Sequence, residues 1–212
     1  MSGPHDGARI VRAGTEMSQA RGALILLHGR GGSAQDILGL GSALGLENIA
    51  LLAPQAAGNT WYPYSFLAPR DQNEPNLSSA LETVGRAVGL ANEAGIPVER
   101  IAIAGFSQGA CLTTEFAARN PMRYAGIVAF TGGLIGEELE AEYPGNLAGT
   151  PALLSSGDPD PHVPWRRVEE SAKILRGMGA NVATHRHPGR PHTVTAEEVK
   201  LAAELLGAAF LA

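Results

Sequence analysis

Five apolar runs, residues 23–27, 49–53, 101–104, 127–130 and 152–154, are continuous rather than alternating, and each soon reaches Gly, Pro or a polar turn. A strand with one face in water alternates apolar and polar side chains, whereas an unbroken run implies cover on both faces, as in a parallel sheet. Two further segments, 8–13 and 181–187, alternate more and read as edge strands. Helical periodicity fills the intervals. Leu77, Leu81, Val84, Val88 and Ala91 recur at spacings of three and four before Gly95, which gives one apolar face and a glycine stop. Residues 35–45, 107–119 and 165–179 read as further helices, and Thr195 with Glu198 forms a capping box that opens a last one. Alternation of this kind predicts right-handed crossovers and an open α/β sheet, mostly parallel, with helices on both faces.

With 212 residues, 44% of them hydrophobic and 17% charged, the chain reads as a single globular domain over 1–212. Residues 54–76 and 131–150 fit neither period, and loops of about 20 residues in a compact domain are usually functional. The 16 basic residues are scattered and outnumbered by 21 acidic ones, so nucleic acid is not an expected partner. Residues 1–14 lack the apolar core of a signal peptide, no run approaches a membrane span, and the single Cys111 cannot form an internal disulfide. A soluble cytoplasmic protein without stable membrane insertion is expected, with a homodimer left open.

Chemistry concentrates at Gly105-Phe106-Ser107-Gln108-Gly109, a G-x-S-x-G pentapeptide that follows one predicted strand and opens one predicted helix. That strand-turn-helix setting is what a nucleophile elbow requires: glycines at both flanks let the chain pass closely while the serine is held strained and exposed. A serine hydroxyl needs a base, usually histidine oriented by a carboxylate. Downstream, residues 157–164 read Gly-Asp-Pro-Asp-Pro-His-Val-Pro and offer Asp158 and Asp160 after one strand, and His192 follows another. Of the other histidines, His5 lies in a terminal stretch expected to fray, and His28 precedes a glycine-rich turn. His162 shares the acid's loop, where it shapes the loop or touches substrate. His185 and His187 form an H-x-H pair without a third metal ligand at useful spacing. His192 is left as the base, and no metal or cofactor is called for.

Acyl transfer also needs donors for the developing oxyanion. The amide of Gln108, directly after the serine, supplies one; Leu27-His28-Gly29-Arg30-Gly31-Gly32, after an earlier strand, supplies the other through Arg30. The same loop lacks the endings of a phosphate loop or a dinucleotide fingerprint. Four of the aromatic residues, Trp61, Tyr62, Tyr64 and Phe66, crowd into six positions of the first long loop. With Leu67, Leu134 and Ile135 they are expected to wall an acyl or aryl pocket, the alternative being a satellite apolar cluster that pins the long loop.

Together these segments, with Gly95-Ile96-Pro97 and Arg100-Ile101, resemble the carboxylesterase, lysophospholipase and acyl-protein thioesterase family of small α/β-hydrolases. The resemblance implies the α/β-hydrolase fold and hydrolysis of a carboxylic ester, or of a thioester or lysophospholipid by the same apparatus. It also selects Asp160 as the acid, because the second Asp of G-D-x-D-x-x-V-P is the family's triad member, and leaves Asp158 to shape the loop. Trp61-Tyr62-Pro63 stands where the eukaryotic thioesterases tend to have Trp-Phe-Asp, and looks more like a bacterial branch. A non-catalytic binding module for a small acyl or phenolic ligand is the reading from another class. Two loops of about 20 residues are too little for a full cap domain, so a shallow, open site is expected.

Overall fold

The computed structural model describes residues 3–140 and 143–211. Among these residues seven strands form one sheet: β1 (Ile10–Gly14), β2 (Gly22–Leu27), β3 (Ile49–Pro54), β4 (Ile101–Phe106), β5 (Gly126–Phe130), β6 (Pro151–Asp158) and β7 (Asn181–Pro188), in the order β1-β3-β2-β4-β5-β6-β7. Every pairing is parallel except β1 with β3. Strands β2, β3 and β5 are buried at every residue, as their unbroken apolar runs require. β7 alternates exposed and half-buried positions at one edge, and β1, at the other, is half covered.

Among the described residues five helices cover the sheet: α1 (Ala34–Ala43), α2 (Asn76–Glu93), α3 (Gln108–Arg119), α4 (Trp165–Gly177) and α5 (Ala196–Leu211). Successive strand residues point to opposite faces. Leu24, Leu26, Ala102, Ala104, Val128 and Phe130 therefore pack with α1 and α5, while Ile25, Leu27, Ile103, Ile127 and Ala129 pack with α2, α3 and α4. Capping boxes open two of these helices. Ser33 and Asp36 close one at α1; at α5 the Thr195 N–H donates to Glu198 Oε2 (2.9 Å) while the Glu198 N–H donates to Thr195 Oγ1 (3.3 Å).

The first long loop carries only two 3-10 turns, Ala57–Asn59 and Arg70–Asn73. Of the second, residues 141 and 142 lie outside the described residues, and the rest is irregular. No separate layer of helices or strands stands over the strand ends among the described residues. One expectation fails at the amino terminus, where His5 is buried rather than frayed. Its Nε2–H donates to the Trp61 carbonyl (2.9 Å), its Nδ1 accepts the Ala57 N–H (3.1 Å), and its own N–H donates to Ser79 Oγ (2.8 Å). Both ring nitrogens being satisfied, the imidazole serves as a polar plug that sequence periodicity does not reveal. Among the described residues no helix is long and apolar enough to cross a membrane.

Candidate active site

Ser107 follows β4 and immediately precedes α3, with φ 54° and ψ −118°, a conformation that non-glycine residues avoid. Its N–H donates to the Phe130 carbonyl of β5 (2.9 Å), and its carbonyl accepts the Cys111 N–H (3.0 Å), so the turn is held from both sides. The flanking glycines are steric necessities. A Cβ on Gly109 would run into the Leu27 and His28 carbonyls, and one on Gly105 into the main chain of Gly109.

β6 and β7 deliver the partners to the same rim. The Ser107 hydroxyl lies 2.9 Å from His192 Nε2, and His192 Nδ1 lies 2.9 and 3.1 Å from the two carboxylate oxygens of Asp160. The Asp160 side chain is fully buried, while that of His192 is 19% exposed, so the base can meet water or substrate and the acid cannot. Burial alone would raise the Asp160 carboxyl. The His162 and Val163 N–H groups, both 2.9 Å from Oδ1, and His192 outweigh it and hold the carboxyl below its ordinary range. Asp158 faces away and pairs with Arg186. The His162 ring stands exposed at the mouth, edge-on to His192 with centroids 4.9 Å apart. Phe106 supports the other side of His192 at 5.2 Å, a contact for which the sequence offers no signal beyond its place before the serine.

A cleft of about 630 Å³ opens beside Ser107, walled by Arg30, Tyr62, Phe66, Leu67, Cys111, His162 and His192 among others. Its mouth carries the exposed Arg30, Tyr64, Ser65 and His162, in keeping with an open site. Trp61 corrects the expected wall. It is fully buried behind the cleft, its indole tilted between His5 (5.7 Å) and His28 (5.0 Å), with Nε1–H donating to the His28 carbonyl (2.8 Å). An indole N–H must find an acceptor when buried, and the acceptor fixes the ring inside the loop rather than in the cleft. Leu134 and Ile135 are likewise core residues, absent from the cleft wall.

The aromatic segment is strapped down by residues whose side chains had no assigned work. Gln108 Oε1 accepts the Trp61 N–H (2.9 Å), and its Nε2 donates to the Tyr62 carbonyl (2.8 Å). The Arg30 guanidinium donates to the Pro63 (2.9 Å) and Tyr64 (2.7 Å) carbonyls. Buried Asn73 completes the strap by accepting the Tyr64 N–H (2.9 Å) and donating to the Ser65 carbonyl (3.0 Å). Behind the cleft a fully buried Glu115 accepts the Ile135 N–H (2.9 Å) and pairs with Arg70 and Arg119. A charge inside the apolar pattern of α3 is the signal that could have announced this network.

The phospholipase/carboxylesterase family pattern matches residues 6–209. A solved phospholipase/carboxylesterase from Dyadobacter fermentans is 50% identical and superposes with a TM-score of 0.91 over 94% of this chain and 96% of that one. The Bacillus cereus carboxylesterase shares the fold at 23% identity and a TM-score of 0.78, covering 95% of this chain and 94% of that one. Acyl-protein thioesterase 1 of Neurospora crassa is 33% identical over 110 residues, 50% of this chain and 45% of that protein. The chain spans about half the length of the curated thioesterases it matches. Elbow, sheet order and family match agree: this α/β-hydrolase fold belongs to the phospholipase/carboxylesterase family.

Proposed function

We propose that the protein is a serine hydrolase that cleaves carboxylic esters through an acyl-enzyme. The observation that carries the reading is the unbroken relay from Ser107 Oγ through both nitrogens of His192 to the buried Asp160, each link about a hydrogen bond long. His192 Nε2 takes the hydroxyl proton as Ser107 Oγ attacks the ester carbonyl; Nδ1–H keeps its bond to Asp160, which stabilises the imidazolium. The amides of Arg30 and Gln108 receive the oxyanion. That of Gln108, in the first turn of α3, has no helical acceptor by position. His192 returns its proton to the leaving alcohol, and water, activated by the same nitrogen, releases the acid and restores the serine. None of these steps calls for a metal or cofactor.

Wild-type protein should be labelled by a fluorophosphonate probe and should turn over p-nitrophenyl butyrate. Ser107→Ala should abolish the labelling and lower kcat by about 10⁴-fold or more, while its circular dichroism is retained. Turnover that persists in Ser107→Ala would overturn the proposal. The half-length likeness to proteins named acyl-protein thioesterase 1 supports a second reading, acyl thioester hydrolysis by the same residues. Paired oxyester and thioester series of matched acyl length separate the two.

A further inference from the structure

One polar group in the cleft is left without work by this chemistry. Tyr62 is 1% exposed, lines the cleft, and its hydroxyl makes no hydrogen bond among the described residues. The Cys111 thiol, which interacts with it and also lines the cleft, is at best a weak partner. Burial keeps both groups protonated, pushing the phenol upward and the thiol to about 12, so the phenol is available as a neutral donor. A buried donor of this kind calls for an acceptor.

The charged groups nearby are engaged elsewhere. Glu115 is held by Arg70, Arg119 and the Ile135 N–H. Arg167 donates to the carbonyls of Leu134, Gly136 and Glu137. Arg30 grips Pro63 and Tyr64 from the mouth. An anionic group at this depth would have no free counter-charge, whereas an uncharged oxygen needs none. Cys111 lies four residues along α3 from Ser107, a rise of about 6 Å, and Ser107, Cys111 and Tyr62 line the same cleft. With the oxyanion on the Arg30 and Gln108 amides and the leaving oxygen beside His192, the part of the cleft left for the acyl substituent is the wall lined by Tyr62, Phe66 and Leu67.

We propose that the Tyr62 hydroxyl is a specificity-determining donor for an uncharged oxygen on the acyl chain, a few atoms from the scissile carbonyl, so that oxygenated short-chain acyl esters are favoured over plain alkyl ones. The inference rests on the serine esterase reading. It is tested with p-nitrophenyl 4-oxopentanoate and its near-isostere p-nitrophenyl 4-methylpentanoate, each kcat/KM normalised to that ester's hydroxide-catalysed rate. Wild type is expected to favour the oxo ester by about tenfold or more, and Tyr62→Phe to bring the ratio close to one. A wild-type ratio near one, or a ratio unchanged in Tyr62→Phe, overturns the inference and leaves the esterase reading standing. Should the variant fail to fold, the wild-type ratio alone decides. Turnover of neither ester also overturns it, and fluorophosphonate labelling of Ser107 then shows whether the esterase reading falls as well.

Discussion

Two histidine clusters flank the aromatic strap, and they are built to opposite ends. On the inner side His5 and His28 sandwich Trp61, and both are 1% exposed. His28 donates from Nδ1 to the Gly29 carbonyl (2.8 Å) and accepts at Nε2 from the Ala56 N–H (3.1 Å) and the Gln55 side-chain amide (3.3 Å), so both nitrogens are engaged by neutral groups. On the outer side His192 meets one carboxylate and one hydroxyl, with His162 edge-on at the mouth. Imidazoles packed against aromatic rings are common to both. What separates structure from chemistry is the partner set: neutral amide groups in the first case, an ionised acid and an unblocked nucleophile in the second.

The largest expected effect breaks the outer cluster at its acid. Asp160→Asn should lower kcat/KM for p-nitrophenyl butyrate by about 10³–10⁴-fold, because the amide favours the wrong tautomer of His192, whereas Asp158→Asn should cost no more than about tenfold. Equal losses would show that the loop's shape, and not the carboxylate on His192, carries the effect.

A middle effect probes the strap between the clusters. Gln108→Ala leaves a buried Trp61 N–H and Tyr62 carbonyl unpaired and should lower stability in urea by about 2 kcal/mol or more, alongside a fall in kcat. Arg30→Met removes two hydrogen bonds from an exposed guanidinium and should lower stability by less than about 1 kcal/mol. The reverse order would place the strap's anchor at the rim.

The smallest effect sharpens the inner cluster. Burial, partly offset by the bond to the Gly29 carbonyl and by Asp36, holds the His28 pKa below the ordinary 6.5. As pH falls below 6.5 the unfolded chain takes up a proton that folded His28 resists, so this residue's contribution to stability is complete above that pH and is lost on acidification towards the folded pKa. In thermal melts between pH 7.5 and 5.5, His28→Gln, which keeps an acceptor for the Ala56 N–H, should show a shallower fall in Tm than wild type. An identical slope would clear His28 of the effect.

How much of this was legible follows from what leaves a local trace. Unbroken apolar runs marked the strands, since burial on both faces admits no alternation, and Gly105 and Gly109 marked the elbow, since no side chain fits there. Ser107 and His192 were singled out by chain order and loop chemistry and Asp160 by the family resemblance, and the structure brings the three side chains together. Trp61 was misplaced because aromatic density is the same whether a ring faces a ligand or a core; the difference lies in a single indole bond to the His28 carbonyl. His5 was misread because terminal position is a poor guide when two ring nitrogens find main-chain partners some fifty residues away. Gln108 and Arg30 were singled out for their amides, while their side chains, which hold the strap, follow only from tertiary geometry.

The burial of α3 reaches further than positioning one serine. Every residue from Gln108 to Ala118 is buried, so the amides beyond the first turn, which are bonded within the helix, exchange with solvent only through openings larger than a local fray. The strap and the loops around the mouth, with Tyr64, Ser65 and His162 in solvent, can instead open locally. The fold thus divides two timescales between two elements. The attacking group sits at the head of a buried element, and the surfaces that meet different substrates lie on exposed ones that can be altered without disturbing it.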